Sequence, residues 1–178
     1  MSVHTFQLFP EHTLTLIAYT NVTNANTIIA NLRQQSLSAA VLKSSHIASL
    51  FTLLSAANRA LHNAAHNQLK TRALESELLY NLSPSHSISY AFKTFGVADD
   101  STSVVVCAFD ASAESLQKLE TVITGDRVGD AQSVLDALDT DKSEALTKLY
   151  KIKPEDMAHR TMADAINSIL SIRKFKSR

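Results

Sequence analysis

His62 and His66 stand four residues apart in a stretch of helical periodicity, which would place both rings on one face where they could share a metal ion. A zinc protease needs Glu directly after the first His, and Asn63 occupies that position, so a solvated helix surface is the better reading. Asp139, Asp141 and Ser143 open like a calcium loop, but Glu144 stands where the turn needs Gly and Tyr150 where the bidentate Glu belongs. Cys107 lies in the most apolar run of the chain, where a thiol behaves as a small core residue rather than a nucleophile. Gly96, Gly125 and Gly129 are too scattered to cradle phosphate. Asn21-Val22-Thr23 and Asn81-Leu82-Ser83 match the glycosylation triplet, which has no use in an intracellular chain. These side chains imply no catalytic group, no metal and no cofactor.

Two basic features remain. Lys70 and Arg72 flank Thr71 in a connection that could present both cations to phosphate, and the C-terminus carries Arg173, Lys174, Lys176 and Arg178 around Phe175. For the tail, helix-dipole complementation and a solvated chain end are the alternative. Lys and Arg together number 17 and so do Asp and Glu, so any polyanion contact must be a local patch. With 178 residues, 45% hydrophobic, three Gly and three Pro, the chain is sized for one folded domain over residues 1–178, with 172–178 as a flexible basic tail. One cysteine, no signal-like N-terminus and no bilayer-length apolar run predict a soluble intracellular protein without membrane contact.

The elements that must carry these residues follow from periodicity. Phe6 and Leu8, then Leu14, Leu16 and Ala18, alternate around a break at Pro10-Glu11-His12 and predict a β-hairpin. Asn24 could cap a helix through Gln34 with Ile28, Ile29 and Leu32 inward, while Ala39 to Lys43 is ambiguous. Leu50, Leu53, Leu54, Ala57 and Leu61 recur at helical spacing after Ser49 and predict a long helix. Leu78, Tyr80 and Leu82 alternate with polar residues and predict a half-buried strand over Glu75 to Leu82. Ser87 starts and Gly96 ends a short helix carrying Ile88, Ala91, Phe92 and Phe95, and Val104 to Phe109 predicts a central strand. Helices are expected at Ala113 to Ile123, Ala131 to Leu138, Ser143 to Tyr150 and after Pro154, with a loop at Gly125 to Gly129. The fold class is α/β of the α+β type: a mainly antiparallel sheet of about four strands with helices packed against it.

The residues also resemble a known family. Leu8-Phe9-Pro10-Glu11, Asn24-Ala25 and Ala56-Ala57-Asn58-Arg59-Ala60 are similar to the TPRKB family, the kinase-binding small subunit of the KEOPS (EKC) complex. The longest match runs without a gap from Lys70-Thr71-Arg72 through Glu77 and Asn81-Leu82-Ser83-Pro84 to Phe95-Gly96-Val97. The resemblance implies a non-catalytic subunit that docks on the kinase-like ATPase of the complex, PRPK. Through it the subunit serves a separate catalytic threonylcarbamoyltransferase, which modifies the adenosine beside the anticodon. It also implies help in recruiting tRNA by its CCA end, no small-molecule substrate, a place in cytoplasm and nucleus, and a telomere role attached to the complex. On this resemblance Lys70, Arg72 and Lys93 are assigned to tRNA, with a local ion pair to Glu75 or Glu77 as the alternative for Arg72. Phe51, Leu54 and Asn58 on the long helix are assigned to the kinase contact, with burial in the core as their alternative. A stand-alone RNA-binding module using the Lys70 to Arg72 loop and the tail is the second functional reading.

Overall fold

The alternating N-terminus folds as expected into a hairpin of β1 (Ser2–Phe6) and β2 (Phe9–Thr20). Thr5 pairs with Thr13 and Phe6 with Phe9, so Pro10-Glu11-His12 bulge out of β2 and the turn falls at Gln7-Leu8. α1 (Ala25–Arg33) follows. Asn24 stands at its N-cap position without capping it; its amide instead donates to Val122 O and its carbonyl accepts from Thr124 N. The ambiguous segment is β3 (Ala40–Lys43), and Ser49 caps α2 (Leu50–Ala65) by accepting from Thr52 N. These assignments come from a computed structural model that describes residues 1–137 and 140–173.

The main correction comes next. Residues Leu74–Leu82 form a helix, α3, in place of the expected strand. Leu78, Tyr80 and Leu82 do alternate, but Leu74, Leu78, Leu79 and Leu82 recur at helical spacing, and no β-branched residue interrupts a run rich in Leu and Glu. Ser87 and Gly96 bound α4 (Ile88–Phe95), where a Cβ at Gly96 would lie 2.6 Å from Phe92 O. Of its expected inward residues only Ala91 and Phe95 are buried; Ile88 and Phe92 are exposed.

β4 (Val104–Phe109) is buried at all six positions, since it lies between β2 and β3 with helices over both faces. α5 (Ala113–Val122) leads to β5 (Asp126–Val128), a short strand on β2 in the segment expected to be loop. α6 (Ala131–Asp136), α7 (Thr140–Tyr150) and α8 (Met162–Ile172) follow within the described residues. Leu138 and Asp139, on which the expected helix Ala131 to Leu138 and the calcium pattern partly rest, lie outside the described residues, as do residues 174–178.

The described residues thus form an α+β domain with the antiparallel order β1-β2-β4-β3 and β5 added to β2. Ile17, Tyr19, Val41, Val104 and Val106 face α1 and α5 through Ile28 and Leu119. Leu14, Leu16, Leu42, Val105 and Cys107 face the other helices through Leu53, Leu61, Leu78, Phe95 and Ile166. Among the described residues no helix is long and apolar enough to cross a membrane.

Phe95 fills the space between α4 and α7, with His46 and Tyr150 each 6.3 Å away ring to ring. Phe95→Ala is expected to lower stability by about 3–5 kcal/mol, because burial is complete and the truncation leaves a cavity in the core. Urea unfolding followed by circular dichroism measures this loss.

Candidate nucleic-acid interface

The connection from α2 to α3 begins with a backbone signal. Asn67 adopts the left-handed conformation, with φ of 54°. The Asn67 N–H donates to Ala64 O and the Gln68 N–H to Asn63 O, which ends α2 in a Schellman-type reversal. α3 starts after Ala73, a residue with no side-chain cap to offer. The turn between them is organised from inside by Glu77, whose side chain is fully buried.

Oε2 of Glu77 accepts from the Lys70 N–H at 3.0 Å, the Thr71 N–H at 3.0 Å and the Thr71 hydroxyl at 2.9 Å, and Oε1 accepts from Asn63 Nδ2 at 2.9 Å. The same hydroxyl lies 3.2 Å from Ala73 O. A buried carboxylate is tolerable when hydrogen bonds replace its water, and here neutral donors do so without a cation. Thr71 is drawn inward, and its neighbours Lys70 and Arg72 are exposed. Neither side chain forms an ion pair or hydrogen bond with any described residue, so the alternative pairing of Arg72 with Glu75 or Glu77 is not formed.

Lys93 is also exposed, on α4, which packs against α3. No hydrogen bond or ion pair among the described residues joins it to the loop. Beside it, Ile88, Tyr90 and Phe92 are all exposed.

The residues assigned to a protein partner divide. Phe51 is 67% exposed, an unusual position for a phenylalanine, while Leu54 and Asn58 are half-buried and Leu54 packs against the core. Phe51 and Leu54 line a groove of about 430 Å³ with Leu50, Asp136 and Met162, between the N-terminal ends of α2 and α8; Asn58 is not part of it. Asp136 fixes this junction by accepting from Leu50 N at 2.9 Å.

Sequence reasoning missed Arg173. Read as the start of a tail, it is instead buried, and α8 runs on through Ile172, so the folded part reaches past residue 172. Its Nη1 donates to Tyr80 O at 2.6 Å and Ser83 O at 2.7 Å, and the guanidinium sits 4.2 Å from the centre of the Tyr80 ring. Burial lowers its pKa from the usual guanidinium value, and Tyr80 opposes that shift. This cation is therefore consumed by the end of α3 and is not available to phosphate. Arg59 behaves alike, donating to Leu170 O at 2.9 Å.

The other reactive types stay apart. The rings of His62 and His66 stack 4.3 Å apart, His66 Nδ1 lies against His62 O, and no group of three metal-binding residues occurs among the described ones. Burial pushes the Cys107 thiol far above its usual range.

A sequence profile described as "Kinase binding protein CGI-121" matches residues 19–174. The zebrafish (Danio rerio) protein named EKC/KEOPS complex subunit TPRKB is 32% identical over 169 residues, covering 94% of this chain and 94% of its own length. The Schizosaccharomyces pombe EKC/KEOPS complex subunit cgi121 is also 32% identical over 169 residues, covering 92% and 93%. The Candida glabrata EKC/KEOPS complex subunit CGI121 is 33% identical over 122 residues, covering 67% and 69%.

Arg173→Ala would leave the carbonyls of Tyr80 and Ser83 without their charged donor. The expected cost is about 2–4 kcal/mol, since hydrogen bonds to charged groups count for more than neutral ones. Thermal unfolding measures it, and Arg173→Lys should recover only part of the loss, because an ammonium lacks the flat guanidinium that stacks on Tyr80.

Proposed function

The chain belongs to the CGI-121 family of kinase-binding proteins, and from that membership we propose that it is a non-catalytic subunit of an EKC/KEOPS complex. In this reading it binds the kinase-like ATPase of the complex, PRPK. It also helps recruit tRNA, through the CCA end, for threonylcarbamoyl modification of the adenosine beside the anticodon. It works in cytoplasm and nucleus and performs no chemistry of its own. The catalytic subunit is reached indirectly, through the ATPase.

The observation that carries the tRNA half is the loop. Two exposed, unpaired cations stand on a backbone pinned by a buried carboxylate, so their charge is available and little order must be gained on binding. Lys93 stands exposed on α4, the helix packed against α3, and is proposed as a further tRNA contact. For the kinase half, Phe51 offers a large apolar side chain at the lip of a groove, the kind of anchor that protein interfaces bury.

Two measurements test the halves separately. Arg72→Glu should weaken binding of unfractionated tRNA by about tenfold or more and flatten its salt dependence, while capture of the kinase-like ATPase is retained. Phe51→Asp should abolish that capture and leave tRNA binding by the free chain intact. If the unmodified chain neither captures the ATPase nor changes its activity, the adaptor reading falls.

A further inference from the structure

Glu77 is the one acidic residue among the described ones that is wholly buried, and no cation among them lies within ion-pair distance of it. An ionised carboxylate has about four acceptor sites. Here they meet two backbone N–H groups, a hydroxyl and an amide, three of these four donors coming from Lys70 and Thr71. Three of the four donors converge on Oε2, so the carboxylate is engaged by the loop backbone, and Arg72 forms no ion pair with it. The same bonds fix the direction of the chain at Lys70 and Thr71, which in turn sets where the Lys70 and Arg72 side chains leave the surface. Asn63 ties the carboxylate to α2, so the loop is referenced to the rigid frame.

We propose that Glu77 is a positioning residue for nucleic-acid binding. It acts through the backbone of the Lys70 to Arg72 loop and holds both cations in one outward arrangement without touching the RNA. This rests on the reading of that loop as a tRNA contact.

The sign of the effect separates positioning from simple electrostatics. A negative charge beneath two cations opposes the approach of phosphate, so Glu77→Gln raises the local net charge and, acting by charge alone, would tighten tRNA binding. Acting by position, it loosens the loop. Gln keeps the shape of Glu and one acceptor oxygen, but the bonds it accepts lose the assistance of charge. Glu77→Gln is therefore expected to weaken binding of unfractionated tRNA by about fivefold, the size of one hydrogen bond's net contribution.

The experiment is a double-mutant cycle on the full chain. tRNA affinity is measured for Glu77→Gln, for the pair Lys70→Ala with Arg72→Ala, and for all three together, with capture of the kinase-like ATPase as the control of fold. Support requires that Glu77→Gln weaken binding in the parent and add nothing once the two cations are gone. Tighter or unchanged binding in Glu77→Gln overturns the inference while leaving the loop's role intact. An effect that persists without the cations overturns it too, because Glu77 then acts elsewhere. If the cation pair itself has no effect, the reading of the loop fails and takes the inference with it. Should Glu77→Gln lose the ATPase and so its fold, Thr71→Val replaces it in the same cycle: it removes one of the three loop donors, and a loss of about threefold that vanishes without the cations supports the inference, while no loss overturns it.

Discussion

The carboxylate of Glu77 has left water entirely, and no cation among the described residues forms an ion pair with it; Arg173 acts on it only as a more distant charge. An isolated ionised group in that position would cost many kcal/mol or take up a proton. What makes it tolerable is that four donors converge on two oxygens, from the end of α2, from the loop and from a hydroxyl within the loop. The carboxylate in turn gives partners to the Lys70 and Thr71 N–H groups, in the turn that leads to α3. One residue therefore resolves two problems of hydrogen-bond satisfaction at once, and the position of α3 follows from it.

The other end of α3 is constrained from the opposite direction. Tyr150 donates its hydroxyl to Leu82 O at 2.8 Å, Arg173 donates to Tyr80 O and Ser83 O, and Asn81 donates to Ala56 O at 3.3 Å. The first two come from α7 and from the end of α8, residues that stand 68 to 93 positions away in the chain. α3 thus couples the C-terminal helices to the loop that carries Lys70 and Arg72. α2 spans the same frame lengthwise, with Phe51 at its N-terminal end beside the groove and Asn63 near its C-terminal end beneath the loop. The two proposed contact regions occupy opposite ends of one helix, which allows one protein to hold a kinase and an RNA without their competing for the same surface.

Much of this was legible beforehand. The strand Val104–Phe109 announced itself because a central strand is apolar at both parities, and α2 and α4 because each carries its own Ser cap. α3 was not, since the alternation of Leu78, Tyr80 and Leu82 is compatible with either period, and Leu79 decides it only when weighed with Leu74. β5 spans three residues and gains its identity from pairing with Ala18 to Thr20, which no local pattern encodes. In the candidate site the cations were found by charge alone. Their freedom was not, because Glu77 is near enough in sequence to suggest an ion pair, and only the folded chain shows its carboxylate turned to the loop backbone instead. Arg173 was misread for the converse reason: a cation beside other cations at a chain end looks solvated until the carbonyls it serves are in view.

A chain whose charges cancel can still attract an anion if its carboxylates are kept away from selected cations. In this fold many of them are spent on N–H groups. Asp136 serves the start of α2, Asp130 caps α6, and Asp110 takes Thr13 N and His12. Asp164 closes the start of α8, and the hydrogen bonds from Thr161 hold its carboxyl below the usual range. Cations are sorted in the same way. Arg59, Arg173 and Lys142 are committed to carbonyls at Leu170, at Tyr80 and Ser83, and at Leu135 and Ala137. Helix ends thus consume charge of both signs, and Lys70, Arg72 and Lys93 stay exposed. Screening limits the reach of exposed charge to about 8–10 Å at ordinary ionic strength. At that range the local arrangement governs what an approaching phosphate meets, and the net charge of the whole chain counts for little.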